Sequence, residues 1–244
     1  MKEEKDDLWR GLDPALAKRI GTRDYESASL PEQLGTTGLE AGVLLAAGRE
    51  KFDEVWIPGV EIFPRRIYRQ PFRGSFGEFA RRDEGILSEI KLWPAQWSAA
   101  RMFGHTAKGF HVHPPFVPTG ESAADYFARQ FKTAPAAERP YSKEQWDVMF
   151  FVTGRLEMIL RDLRAGMGKR TMRFSIDGDN YRSANNVGVV IPPGVAHALR
   201  VEGSEDAIMV YGTSTSFRPE FEGRIGSEVE SAELPEEWRQ FLGM

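Results

Sequence analysis

The chain has no cysteine among its 244 residues. That excludes disulfides, thiolate metal sites and cysteine nucleophiles, and leaves His, Asp, Glu and water as the ligands open to any metal. Long apolar runs are missing too. No stretch approaches the ~18–20 apolar residues of a membrane span, and the start, MKEEKDDLWRG, is charged where a secretory signal would be apolar. The expectation is a cytoplasmic protein with no membrane partner. Nor is there a surplus of positive charge: 32 Lys and Arg stand against 36 Asp and Glu, a net charge of −4. This speaks against nucleic acid as the main partner and for small molecules or proteins. Histidine is scarce, with four in all, so the places where it falls carry weight.

A chain of this length buries roughly 70–75% of its unfolded surface, enough for one core without covalent staples. Residues 1–56 carry Leu, Ala and Trp at spacings of three and four, interrupted by Gly and Pro, and read as an N-terminal helical extension. From about Val60 the pattern changes to short β-rich runs between turn residues: VEIFPRRIY, EIKLW, WSAARMF, GFHVH, DVMFFVTG, RLEMILRD, TMRFSID, VGVVIPPG, HALRVEG and AIMVYGT. Many short strands at this spacing predict an all-β sandwich or barrel over residues 57–225. Residues 226–244 read as a helical tail. Between His113 and Asp147 lies a connection too long for a hairpin, either a binding loop or an insertion. Within it Ser122 stands three residues before Asp125, a pair that can open a short helix.

In GFHVHPPF, residues 109–116, strand alternation sends His111 and His113 to one side and Phe110 and Val112 to the other. Asp147 lies seven residues before Gly154 in DVMFFVTG, and His197 follows the Pro-Pro-Gly corner in PPGVAH. Three His and one carboxylate suit a divalent first-row ion from Mn and Fe to Ni and Zn, with positions left open for substrate. The same histidines could instead move protons or fill a core through hydrogen bonds. His105, in the polar turn FGHTAKG, reads as facing solvent.

These spacings resemble the cupin superfamily, a double-stranded β-helix, or jelly-roll, barrel. Its first motif is His-x-His followed by an acidic residue seven before a glycine, and its second is Pro-x-Gly-x-x-His. Four segments resemble one cupin family more closely, the dTDP-4-dehydrorhamnose 3,5-epimerases: RGSFGEF at 73–79, KGFHVH at 108–113, VTGRLEMILRDLR at 152–164, and VVIPPGVAHALRVEGSEDAIMVYGTSTSFRPE at 189–220. The resemblance implies a sugar-nucleotide epimerase or isomerase, a homodimer that takes a nucleotide sugar. It makes His111 the general base, Tyr211 the acid across the ring, and Arg73, Lys108 and His197 substrate contacts, with no cofactor if the chemistry is strictly epimerase-like. The chain departs from the family where Asp147 replaces an enolate-stabilising lysine, where Gly212 follows the tyrosine, and after Pro219, where no counterpart of the base-orienting aspartate is evident. The wider cupin motif implies a metal on His111, His113, Asp147 and His197, in an oxygenase- or lyase-like enzyme acting on a small keto or carboxylic substrate. A third reading is a non-catalytic cupin that binds a ligand. His111 cannot be ligand and base through one nitrogen.

Overall fold

The computed structural model describes residues 56–70, 72–132, 144–168, 170–183, 185–219 and 222–225, together with Glu236, Arg239 and Gln240. The expected N-terminal extension, apart from Trp56, and nearly all of the C-terminal tail lie outside the described residues.

The first strands are β1 (Glu61–Pro64), β2 (Arg66–Gln70), β3 (Gly74–Glu78), β4 (Gln96–Met102), β5 (Ala107–Val112) and β6 (Asp147–Thr153). They are followed by β7 (Arg155–Asp162), β8 (Thr171–Asp177), β9 (Val187–Ile191), β10 (Val195–Glu202), β11 (Ala207–Thr213) and β12 (Gly223–Arg224). Two helices are described, α1 (Ile86–Glu89) and α2 (Ala123–Lys132). One antiparallel sheet runs β1-β9-β6-β11-β4, a second runs β12-β5-β10-β7-β8, and β2 and β3 form a separate hairpin. The two five-stranded sheets face each other as a cupin-type jelly roll that stays two sheets rather than one closed ring.

Alternation in the sequence builds the interior. TMRFSID puts Met172, Phe174 and Ile176 inward, against Met149 and Phe151 of β6 and Val187, Val189 and Ile191 of β9. DVMFFV shows no alternation because β6 is covered on both sides. Its Val148 and Phe150 pack outward with Trp146, Leu87, Ile90 and Leu92 in a second cluster. On β10, Val195, Leu199 and Val201 point into the core, while Ala196 and Ala198 pack outward with Phe110 and Ile159. His197 shares the parity of Val195 and Leu199, so it faces the space between the sheets.

Two expectations change. VEIFPRRIY is two strands broken at Arg65, whose guanidinium lies over the rings of Phe79 and Phe150 and pairs with Asp179 at 2.6 Å. That buried anchor turns the chain out of the main sheet into the β2–β3 hairpin. EIKLW is not a strand: residues 86–89 form α1, and Lys91 takes φ 55. Leu87 and Ile90, at helical spacing, join Leu92 beneath β6, and the Ile90–Leu92 alternation imitates a strand. α2 opens as expected, with the Asp125 N–H donating to Ser122 Oγ at 3.2 Å.

Candidate active site

One end of the space between the sheets opens into a cavity of about 210 Å³. Its walls include Lys108, His111 and His113 from the β5 segment, Asp147 and Met149 from β6, His197 from β10 and Tyr211 from β11. Asp147, Met149 and Tyr211 reach it by ordinary alternation along their strands.

His111 reaches it by an irregularity. From Lys108 to His111 β5 advances three residues, while its partner β10 advances two, from Leu199 to His197. The extra residue is a β-bulge. Gly109 lies within it at φ 128, a conformation that strains any L side chain. A Cβ there would stand 2.7 Å from the His197 carbonyl oxygen and 2.8 Å from the Ala198 Cα. The bulge shifts the alternation by one, so Ala107 and Phe110 both pack outward and Lys108 and His111 both turn into the cavity. His111 ends up opposite His197, with ring centroids 5.9 Å apart.

The buried floor is His113, Asp147 and His197, whose ligand atoms all lie within 4.8 Å of one another, a group that can hold a metal ion. His113 Nε2 lies 2.9 Å from Asp147 Oδ2, and His197 Nε2 3.6 Å from the same oxygen. Burial works against the Asp147 charge, but His113 and His197 outweigh it and hold the carboxyl below its ordinary range. Burial also lowers His197, to about 4, so its imidazole is neutral at pH 7. His111 is not a member of this group.

The hydrogen bonds of the floor do not close by themselves. His197 Nδ1–H donates to the Val195 carbonyl at 3.3 Å, which leaves Nε2 a lone pair aimed at a carboxylate oxygen. Gln145 Nε2 stands 3.0 Å from Asp147 Oδ1 and 3.2 Å from His113 Nε2, and a His113 Nε2–H donating to Asp147 cannot also accept from the amide. Turning the amide over would set its oxygen against the carboxylate. Gln145 Oε1 has no donor among the described residues. A cation held by His113, Asp147 and His197 would take up the His113 and His197 lone pairs that now face the carboxylate, with Gln145 donating to Asp147 Oδ1.

At the rim, Glu222 and Arg224 flank His111 through the β12–β5 pairing. Glu222 Oε2 lies 3.6 Å from His111 Nδ1, and its other oxygen 3.9 Å from His113 Nδ1. The sequence reading found no acid for His111 after Pro219; the structure puts Glu222 beside it. The signal available was a carboxylate three residues past Pro219, and nothing local in FEGR told which way it would face. Gln145 was missed as well, because it precedes its strand without a pattern. Arg73 does not reach the cavity: it lies exposed in the β2–β3 turn, its N–H bonded to Gln70 O at 3.1 Å. His105 is exposed, as expected.

Two facing antiparallel sheets with a histidine-lined cavity between them make a cupin-type jelly-roll fold. No family model matches the chain. Among curated proteins it is similar to the spore coat polysaccharide biosynthesis protein SpsL of Bacillus subtilis (strain 168), 27% identical over 150 residues that span 61% of this chain and 74% of that protein. Its fold is shared with a double mutant of ChmJ, a 3′-monoepimerase from Streptomyces bikiniensis in complex with dTDP. That match has a TM-score of 0.54 at 16% identity over 77% of this chain and 74% of that one. The fold is also shared with a dTDP sugar isomerase from Desulfovibrio desulfuricans, at TM-score 0.50 and 14% identity over 70% of this chain and 85% of that one. The fold expected from the sequence is the fold of these sugar epimerases and isomerases. Among the described residues no helix is long and apolar enough to cross a membrane.

Proposed function

We propose that the chain is a sugar-nucleotide epimerase or isomerase that removes a proton from a carbon next to a ketone. One observation carries this: His111, backed by Glu222, and Tyr211 come from facing sheets and line one cavity. His111 takes the proton through the nitrogen turned from Glu222, and the carboxylate at Nδ1 stabilises the imidazolium that forms. The electron pair of the broken C–H bond moves onto the ketone oxygen. Tyr211 returns a proton to the carbon from the opposite wall, which inverts the centre, and exchange with water restores both groups. The fold's occurrence in sugar epimerases and the SpsL similarity support this reading. Lys108 and Arg224 on the cavity wall suit the phosphates of a nucleotide sugar.

Asp147 by itself opposes negative charge on a nearby enolate oxygen. His113, Asp147 and His197 fit a divalent cation, Mn, Fe, Ni or Zn, which when bound supplies Lewis acidity toward the ketone. His111 lies outside that three-residue group, which in this reading leaves it available as the base. The same donor set favours a second reading, a metal-dependent cupin enzyme of oxygenase or lyase type on a small keto or carboxylic substrate. Arg73 belongs to the site only across a homodimer, and the hairpin that carries it also exposes Phe72 and Phe76. Light scattering should then show a dimer that Phe72→Ser and Phe76→Ser together dissociate.

The deciding experiment is solvent deuterium incorporation into nucleotide-linked 4-keto sugars, followed by NMR, with elemental analysis of the untreated protein. Exchange that is lost in His111→Ala and Tyr211→Phe supports the epimerase. Stoichiometric metal with no exchange on any such sugar, and metal lost in His113→Ala and Asp147→Ala, transfers the case to the second reading.

A further inference from the structure

Glu144 is a buried carboxylate, 3% exposed, outside the cavity. It lies three residues before Asp147, and its Oε2 accepts the N–H of Phe116, three residues after His113, at 2.6 Å. Its Oε1 accepts the indole N–H of Trp146 at 3.2 Å. Its own backbone is fixed as well, since Ser214 Oγ donates to Glu144 O at 2.9 Å and accepts from the Trp146 N–H at 2.8 Å. One side chain therefore joins the two places where the long connection leaves and re-enters the jelly roll. On either side of that joint stand the two residues that meet at 2.9 Å on the floor.

We propose that Glu144 is a positioning residue of this site: its carboxylate clasps the two ends of the 114–146 connection and thereby sets the contact between His113 and Asp147. His113 lies just past the end of β5, and its carbonyl accepts from the Gly194 N–H at 2.8 Å. Asp147, the first residue of β6, is paired on both sides, with Ile191 of β9 and Thr213 of β11. A slack clasp therefore moves His113 relative to Asp147 rather than both together.

The clasp is also sensitive to pH. Burial pushes the Glu144 carboxyl up to about 7, against the pull of Phe116, Trp146 and the Arg164 guanidinium. From α2, Tyr126 faces the same carboxylate; burial first and the Glu144 charge second raise its hydroxyl, with Arg129 pulling down and Glu121 pushing up. The Tyr126 hydroxyl has no partner among the described residues. Both donors to Glu144 want a carboxylate oxygen, and a neutral acid offers only its carbonyl as a good acceptor. Protonation thus relieves the burial of charge and releases one of the two bonds, so the fold gains while the joint slackens.

The inference rests on the floor being part of the working site, not on which reaction occurs there. The test is ¹⁵N NMR of the full chain between pH 5.5 and 8.5. The Phe116 amide and the Trp146 indole should move with a common midpoint near 7, and the Gly194 amide, reporting on the His113 carbonyl, should carry a component with that midpoint. Glu144→Gln should abolish that component in all three. Trp146→Phe, which removes one donor, should raise the midpoint seen at Phe116. If deuterium exchange is active, its maximal rate should carry, besides the proton equilibrium of the base itself, a component with the midpoint seen at Phe116, with KM little changed, and Glu144→Gln should remove that component alone. Flat Phe116 and Trp146 signals, or a Gly194 signal unmoved by Glu144→Gln, would overturn the proposal. Exchange that is absent on every substrate, with the NMR result intact, strikes the epimerase reading alone.

Discussion

The floor and the rim of the cavity are built from the same residue types and behave differently. On the floor, the side chains of His113 and Asp147 are 6% and 4% exposed. At the rim, those of His111 and Glu222 are 18% and 20% exposed. Water reaches the second His–carboxylate pair and hardly reaches the first. At the rim a charge is partly screened by solvent, whereas a charge placed on the floor has to be balanced where it is. Burial thus sorts five histidines and carboxylates into a pair suited to proton transfer, His111 and Glu222, and a set suited to holding a cation, His113, Asp147 and His197.

The sharpest way to break this comparison is to cross the two neighbouring histidines. His111→Ala should cut deuterium exchange by about 10²–10⁴-fold while bound metal stays stoichiometric. His113→Ala should lose the metal. If elemental analysis finds the metal lost in both, rim and floor are one centre and the division fails.

A second test weighs the buried carboxyl behind the floor. The folded-state pKa of Glu144 is raised from 4.5 to about 7, so its stabilising contribution is complete below pH 4.5 and is lost as pH climbs through 7. The loss is about 3 kcal/mol, from 1.36 kcal/mol per pKa unit. Urea unfolding at pH 5 and pH 8 should show that slope, and Glu144→Gln should remove it. Glu222→Gln should have a smaller effect. It keeps the shape beside His111 but not the charge, so exchange should drop about tenfold with unfolding unchanged. A rate equal to wild type would mean that the rim base works without its carboxylate. The smallest effect belongs to Arg73→Ala, about twofold or less on the maximal rate, because this side chain stays clear of its own cavity. Any influence should appear in KM, and only in the dimer.

Much of this was readable before any coordinates. The Pro-Pro-Gly corner at 192–194, the glycine bend at 154 and the alternating runs place β6, β7, β8, β10 and β11, because turn chemistry and two-residue periodicity are local. Three separate segments delivered His111 with His113, Asp147 and His197 to one end of the core. Hidden from the sequence was anything that depends on a neighbour across space. The acid beside His111, Glu222, immediately precedes β12, a two-residue strand that pairs with β5. The split between His111 and the metal-capable group depends on ångström distances that the His-x-His spacing does not carry. EIKLW was misread because Ile90 and Leu92, both buried under β6, imitate the alternation of a strand. Arg73 was assigned to a cavity that the hairpin leaves, since nothing in RGSFG records where Arg65 anchors the chain.

The bulge at Gly109 makes the inventory of this cavity editable in one way and rigid in another. Ligands and acids around it can be exchanged one at a time, as the aspartate at 147 suggests, without disturbing how the sheets stack. The one-residue insertion that rotates 108 and 111 inward offers no such freedom, because a single added methyl group at 109 collides with backbone. Chemistry in descendants of this chain can drift by substitution on the walls, while the phase of β5 stays inherited.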